Sequence, residues 1–343
     1  MNRMLVVAPN WIGDALFTTA ALRRIKQQYR HRECFVLAVP RAAEVFQRNP
    51  DVAKILVNEE EFRSFWYFFA LIQKLGKLDF DAVLLLHRSR SRALSAFLAG
   101  IPLRIGYNTK RRGIFLTHPV PLPQRDMHRV EGLNHLLNEI GIPGRLPSPV
   151  FFVSRAAKTK MKSMLDRVLG GEKYAILNPG GNWLPKRWPP ERFARLADLL
   201  RTRLGLRTVI TGSAGDRILA EEIRRMACAS TPVFSLTGET TLDELGAAIQ
   251  GAEIFVSNDS GPLHLAAALG TPLIGLFGPT SAKITGPVGD GKIAVLQKDI
   301  GLPVPNPDPG CRDMRYMEAI PVEEVFAAAE KTMRDASVAR PLR

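Results

Sequence analysis

The chain has 343 residues, 46% of them hydrophobic, with 27 Gly and 25 Pro, the composition of an ordinary globular protein long enough for two domains. No apolar run approaches the ~20 residues that span a bilayer. The run after Met1 is too short for the core of a signal peptide, so a cytoplasmic protein is expected. Cys34, Cys228 and Cys311 stand too far apart for a zinc site or a disulfide framework. The formal charge of +14 is uneven: residues 1–145 hold 22 Lys/Arg against 12 Asp/Glu, the remainder 25 against 21. A basic half asks for an anionic partner, and nucleic acid, an acidic membrane surface or a phosphorylated acceptor would each serve.

In chain order, strand-like runs at 4–8, 34–39, 55–57, 82–87 and 103–106 alternate with helix-like runs at 15–29, 42–48, 61–75 and 89–98. After a Gly/Pro-rich stretch at 141–149, strand-like runs at 174–178, 207–211, 253–257 and 273–277 alternate with helix-like ones at 190–204, 216–227, 242–250 and 263–269. Short strands without in-out alternation are buried on both faces, and helices between them predict parallel sheets of βαβ units. The expected fold is α/β, two Rossmann-like domains (1–149 and 150–320) facing across a cleft. A final helix within 321–343 is left open to pack on either domain, a return to the N-terminal one included. Ligands of such sheets sit beyond the carboxyl ends of the strands, and the candidate motifs lie at such ends.

Ser257 to His264 is the most informative stretch. A strand turning into a helix leaves backbone N–H groups unpaired and aligned with the helix dipole, a pocket for phosphate. Ser260 and Gly261 form the turn, and Pro262 suits the first helical position. Asp259 adds negative charge there, so it should meet hydroxyls or a proton donor rather than the phosphate. His264 shares a helix face with Ser260 and is either a phosphate neighbour or a core histidine. Gly180-Gly181 lets backbone approach an anion closely, and Lys186 and Arg187 supply charge before the next helix; the spacing is not that of a Walker A loop. Gly212-Ser213 with Asp216 is a turn of the same kind, Asp216 either accepting from ribose or starting the helix.

In the basic half, Trp11 and Gly13 precede Asp14, which either caps the first helix or acts as a general base; no GxGxxG is present. Arg88, Arg90 and Arg92 end a buried strand, and Lys110, Arg111 and Arg112, then Arg125, His128 and Arg129, follow. Each taken singly reads as easily as an exposed charge as an anion contact. The six histidines show no metal-ligand spacing. The aromatic run from Phe62 to Ile72 is either core or a membrane-interface helix.

Asn10–Asp14, Pro179-Gly180 with Lys186–Pro189, and Asn258–Gly261 with His264, in this order, resemble the ADP-heptose–lipopolysaccharide heptosyltransferases of glycosyltransferase family 9. The resemblance runs over nearly the whole chain and is strongest toward members that add the second heptose. It implies a GT-B glycosyltransferase with the acceptor site in the N-terminal domain and the nucleotide-sugar site in the C-terminal one. Asp14 matches the catalytic base and Lys186 the lysine that neutralises the donor diphosphate. Asp259, Ser260, Gly261 and His264 match the donor-binding turn, and Asp216 matches more loosely. With them, Gly180, Gly181, Arg187, Gly212 and Ser213 complete the expected donor set; Trp11, Arg88, Arg90, Arg92, Lys110 and Arg111 form the expected acceptor set. The implied reaction is inverting heptosyl transfer from ADP-L-glycero-D-manno-heptose to the anionic lipopolysaccharide core. No permanently bound cofactor, metal or nucleic acid is expected, and the protein is expected to be a monomer, peripheral on the inner membrane of a Gram-negative bacterium. Other readings are a transferase of this fold using another sugar or core position, a nucleotide-sugar epimerase, and a non-catalytic nucleic-acid-binding protein.

Overall fold

The structure is a computed structural model that describes residues 2–58, 65–123, 126–306, 308 and 310–339. Phe62 and Arg125 lie outside the described residues. The chain divides into two compact units, Met1–Phe152 and Val153–Arg343, a boundary a few residues beyond the expected one.

The first unit runs β1 (Arg3–Val7), α1 (Ile12–Gln28), β2 (Glu33–Ala38), α2 (Pro40–Ala43), β3 (Lys54–Val57), α3 (Phe65–Gly76), β4 (Ala82–Leu85), α4 (Arg90–Leu98), β5 (Leu103–Tyr107), β6 (His118–Val120) and α5 (Arg129–Glu139). Its six strands are parallel, in the order β3-β2-β1-β4-β5-β6. The second unit runs α6 (Arg155–Leu169), β7 (Tyr174–Asn178), α7 (Pro190–Leu204), β8 (Arg207–Ile210), α8 (Arg217–Met226), β9 (Val233–Ser235), α9 (Leu242–Gly251), β10 (Ile254–Asn258), α10 (Gly261–Ala268), β11 (Leu273–Phe277), α11 (Ala282–Thr285), β12 (Ile293–Gln297), α12 (Arg315–Glu318) and α13 (Val322–Ala339). Its parallel sheet is ordered β12-β11-β10-β7-β8-β9.

Both sheets have the same doubly wound topology, reversing beside their first strands, β1 and β7. That reversal opens a crevice at the carboxyl edge, where the connections leave toward opposite faces. The central strands are covered on both faces by helices: β4, β10 and β11 are buried throughout, and only the last two residues of β10, Ser257 and Asn258, are polar. Beneath the first sheet, Leu5, Val83 and Leu85 pack against Leu71 and Leu75 of α3 and Ala93 and Ala96 of α4.

In the second unit, Trp188 is 1% exposed, meets Phe193 edge to face at 5.0 Å, and donates from Nε1 to Ile320 O at 2.9 Å. Arg192 Nη1 donates to Glu318 O and Ile320 O, both at 2.6 Å. These bonds hold the C-terminal segment, and α13 packs on α7, β11 and β12, burying Val322, Val325 and Ala329 in the second core. Of the two placements open to this helix in the sequence, the contacts are with the second unit, whose core its apolar stripe completes.

Trp188→Ala removes a buried ring and the bond to Ile320. We expect the second unit to lose about 3–5 kcal/mol, read as a lower urea midpoint for its transition with the first unit's transition unmoved.

Candidate functional site

In the first unit, the chain leaves β1 through Asn10 and Trp11, and Asp14 falls in the first turn of α1, where the helix dipole favours an anion. Trp11 and Asp14 line a cavity of about 350 Å³ with a floor of Phe17, Leu86 and Leu136 and a polar wall of Arg41, His87, Arg88, Tyr107, His128 and Arg129. Arg129 Nε stands 4.0 Å from Asp14 Oδ1. Arg41 lies 4.2 Å over the Trp11 ring and donates to Asn10 O at 2.9 Å; Arg88 lies 5.6 Å over the Tyr107 ring. Burial first, and the charge of Arg129 second, push the Arg88 guanidinium down, so three cations and one carboxylate share this wall. It suits an anionic ligand.

Two buried groups hold the wall. The Arg112 guanidinium, 0% exposed, donates to Tyr107 O (2.8 Å), His87 O (2.6 Å) and Leu85 O (3.3 Å), tying the ends of β4 and β5 together. Tyr107 donates its hydroxyl to Gly132 O at 2.6 Å, and burial pushes that phenol up to about 12. His87 Nδ1 accepts from the Ser89 N–H at 3.2 Å. Burial above all, then Arg92, Arg112 and Lys110, pushes the His87 imidazole down to about 4, so it stays neutral at pH 7.

In the second unit, the turns after β7, β8 and β10 converge. Asn178 and Asn258, both buried, act as spacers. Asn178 Nδ2 donates to Ser257 Oγ (3.2 Å) and Ser260 Oγ (3.3 Å). Asn258 accepts from the Trp188 N–H (3.1 Å) and donates to Pro179 O (2.7 Å). Lys186 Nζ donates to Asp259 Oδ2 at 2.6 Å, and Thr280 Oγ1 donates to the same oxygen at 2.7 Å. The loop carrying Thr280 is pinned by Gln297, whose Nε2 donates to Gly278 O and Thr280 O. Arg187 donates to Gly181 O (2.8 Å) and stands 3.5 Å from Asp216 Oδ1. Asp216 Oδ2 accepts from the Ser213 N–H (2.9 Å) and Ser213 Oγ (2.6 Å), the reciprocal half of a capping box. A Cβ on Gly180 would stand 2.6 Å from Asp216 Oδ2, and one on Gly212 3.1 Å from Asp216 Cβ, so both glycines admit that carboxylate. Ser260 stands at the N-cap position of α10, its hydroxyl turned to Asn178 and Ser257 rather than to the helix, with Gly261 and Pro262 in the first turn; His264 is buried one turn on.

The structure thus gathers Lys186, Asp259, Ser260, Gly261 and His264, with Gly180, Gly181, Arg187, Gly212, Ser213 and Asp216 around one edge of the second sheet. Of the acceptor candidates, Trp11 and Arg88 line the cavity with Asp14. Arg90 lies exposed, 5.7 Å over the Phe115 ring. Arg92 is 6% exposed within α4. Lys110 and Arg111 occupy an exposed turn at φ 52° and 55°; left-handed backbone at two successive non-glycine residues costs on the order of 1 kcal/mol each. Sequence reasoning missed Arg41 as a cavity residue and left Arg129 among scattered basics, because only the fold brings either beside the start of α1. Among the described residues, no group of three or more His, Cys, Asp or Glu is arranged to hold a metal ion.

Two doubly wound parallel domains with these turns at their carboxyl edges are the GT-B glycosyltransferase architecture. Heptosyltransferase II of Escherichia coli superposes with a TM-score of 0.84 at 27% identity over 98% of this chain and all of that one. The model for glycosyltransferase family 9 (heptosyltransferase) matches residues 68–303, and the chain belongs to this family. Lipooligosaccharide heptosyltransferase 2 of Haemophilus influenzae is 30% identical over 84% of this chain and 86% of its own. Lipopolysaccharide heptosyltransferase 3 of Escherichia coli is 28% identical over 94% and 96%. The protein is a glycosyltransferase.

The depressed His87 imidazole sets a pH dependence. Unfolded, it titrates near 6.5; folded, near 4. The unfolded chain therefore binds the extra proton between those values, and stability present above pH 6.5 drains away as pH falls toward 4. His87→Gln should flatten that decline relative to wild type, read as thermal midpoints across pH 4–7; parallel curves would contradict the assignment.

Proposed function

We propose that the chain transfers heptose, with inversion, from ADP-L-glycero-D-manno-heptose to the inner core of lipopolysaccharide. The observation that carries this reading is Asp14, a carboxylate in the first turn of α1 on the wall of an otherwise cationic cavity. An acceptor bearing carboxylates or phosphates is drawn to Arg41, Arg88 and Arg129, and its hydroxyl meets Asp14. Asp14 removes the hydroxyl proton as the oxygen attacks the anomeric carbon from the face opposite the diphosphate, and ADP leaves with the bonding pair. Lys186 and the α10 N-terminus meet the charge that builds on the departing diphosphate. Of the three donors on the Lys186 ammonium, one goes to Asp259, which fixes its position while others remain for phosphate oxygens. Asp259 serves as the anchor of that lysine, held in turn by Thr280.

The position of the new heptose is proposed to be the second, as in the Haemophilus relative named above. Core acceptors carrying zero, one or two heptoses, incubated with ADP-heptose and read by mass, test this: extension of the one-heptose acceptor alone is the expected result. A positioned carboxylate base contributes about 10²–10⁴-fold. Asp14→Asn should therefore lose turnover by about that factor with ADP affinity unchanged in titration calorimetry, and undiminished turnover would remove Asp14 from the mechanism. Lys186→Ala should lower kcat/KM for the donor by about 10–100-fold, the loss of one charge-assisted contact. Equal donor dependence in variant and wild type would refute that role.

A further inference from the structure

We propose that His87 is a specificity-determining residue of the acceptor cavity, its Nε2–H donating to an uncharged oxygen of the acceptor sugar. The inference rests on the proposed function for the identity of that ligand. His87 is fixed from three sides. Its N–H donates to Val7 O at 3.1 Å, its carbonyl accepts from Arg112 Nη1 at 2.6 Å, and its Nδ1 accepts from the Ser89 N–H at 3.2 Å. Ser89 stands at the N-cap position of α4, so the ring is anchored where the β4 connection enters the helix.

The third of these bonds decides the chemistry of the other ring nitrogen. An imidazole nitrogen that accepts carries a lone pair, so the proton of the neutral ring sits on Nε2. An imidazolium has no lone pair to offer Ser89, and burial with the neighbouring Arg92, Arg112 and Lys110 holds the ring neutral at pH 7. Nε2–H is thus a donor of fixed direction and no charge. It has no partner among the described residues, and it is not sealed from solvent, on a side chain that lines the cavity with Asp14.

A sugar that displaces water from this cavity has to bring an oxygen to that N–H, because a covered donor left unpaired costs more than a paired one gains. The charge of the oxygen follows from the neighbours. Arg41, Arg88 and Arg129 line the same cavity, and a carboxylate or phosphate bonds more strongly to a guanidinium than to a neutral N–H. Anionic groups of the acceptor go to the arginines, which leaves His87 for a hydroxyl or ring oxygen. One hydrogen bond of fixed direction sets how the sugar ring is turned over the apolar floor of Phe17, Leu86 and Leu136, and so which of its hydroxyls reaches Asp14.

The test is titration calorimetry of the full chain with a soluble core oligosaccharide carrying one heptose, with no donor present. A glutamine places its amide nitrogen about where Nε2 stands, and an asparagine places its amide oxygen about where Nδ1 stands. His87→Gln should bind the acceptor within about threefold of wild type, and His87→Asn and His87→Leu about tenfold more weakly, the loss of one hydrogen bond. ADP affinity, a property of the second unit, should be unchanged in all three. A ring that only caps α4 gives the reverse order, with Asn rescuing and Gln not, and overturns the proposal. So does wild-type acceptor affinity in His87→Leu, or no binding by the wild type; should His87→Leu fail to fold, the Gln–Asn order decides alone. Raising salt from about 0.1 M to about 1 M shortens the screening length from about 10 to about 3 Å. The penalty of Arg88→Gln should shrink with it and that of His87→Leu should not; a His87 penalty that shrinks would place an anion there and overturn the uncharged contact. Transfer from ADP-heptose to the same oligosaccharide, read by mass, separates this inference from the functional reading. Transfer with acceptor binding indifferent to His87 sinks the inference alone, and His87-dependent binding without transfer sinks the function alone.

Discussion

A parallel sheet ends, at its carboxyl edge, in carbonyls and N–H groups that no neighbouring strand can pair, and something must satisfy them in the dry crevice where the strand order reverses. The two units answer this constraint differently, and the difference decides which side chains are left for chemistry. In the first, one buried guanidinium does the work: Arg112 takes carbonyls from Leu85, His87 and Tyr107. In the second, a buried asparagine and a carboxylate do it, Asn258 bridging the Trp188 N–H and Pro179 O and Asp216 accepting the Ser213 N–H after β8, while Asn178 ties the hydroxyls of Ser257 and Ser260. Arg112 is a cation spent on structure within a basic run, and Asp216 is a carboxylate spent the same way within a donor-like turn.

That division explains what was legible in the sequence. The central strands could be read because burial on both faces leaves an unbroken apolar run, and β7 and β11 fall at the expected residues. Of the four outer strands only β3, with its run of Ile55-Leu56-Val57, could be read; β6 and β9 are three residues long, β6 contains a proline, and β12 has no buried residue. α6 escaped because its buried residues, Ala157, Met161, Leu165 and Leu169, recur every fourth position as a narrow stripe among lysines. The strand-to-helix turns carried the site because glycine, proline and small polar residues are needed there whatever the ligand.

Charge was less legible than position. Arg88, Arg92 and Arg112 stand within one basic region of sequence, yet only Arg88 lines the cavity, while Arg92 and Arg112 are buried. No local pattern distinguishes them, because the fate of an arginine depends on which carbonyls the fold leaves bare near it. Arg129 shows the converse: its partner Asp14 is more than a hundred residues earlier, and only the packing of α5 on α1 brings them together.

The two edges are also unlike as electrostatic surfaces, and on the proposed reaction the contrast has a consequence. In the second unit Lys186 is paired with Asp259 and Arg187 with Asp216, so the cradle is nearly neutral before a donor arrives. In the first, three guanidiniums face one carboxylate. A nucleoside diphosphate released from its sugar carries more negative charge than the donor from which it came. A cradle of uncompensated cations would therefore hold product more tightly than substrate and stall turnover. Pairing each cation with a carboxylate tempers that pull, so Lys186 contributes its remaining donors beside the direction of N–H groups and the fit of the turn without a net charge that favours product. The acceptor edge has no such penalty, because the transferred sugar is uncharged and leaves the charge of the acceptor unchanged. Its excess of positive charge attracts acceptor and product alike, and lengthening by a neutral sugar lets geometry, rather than charge, displace the product.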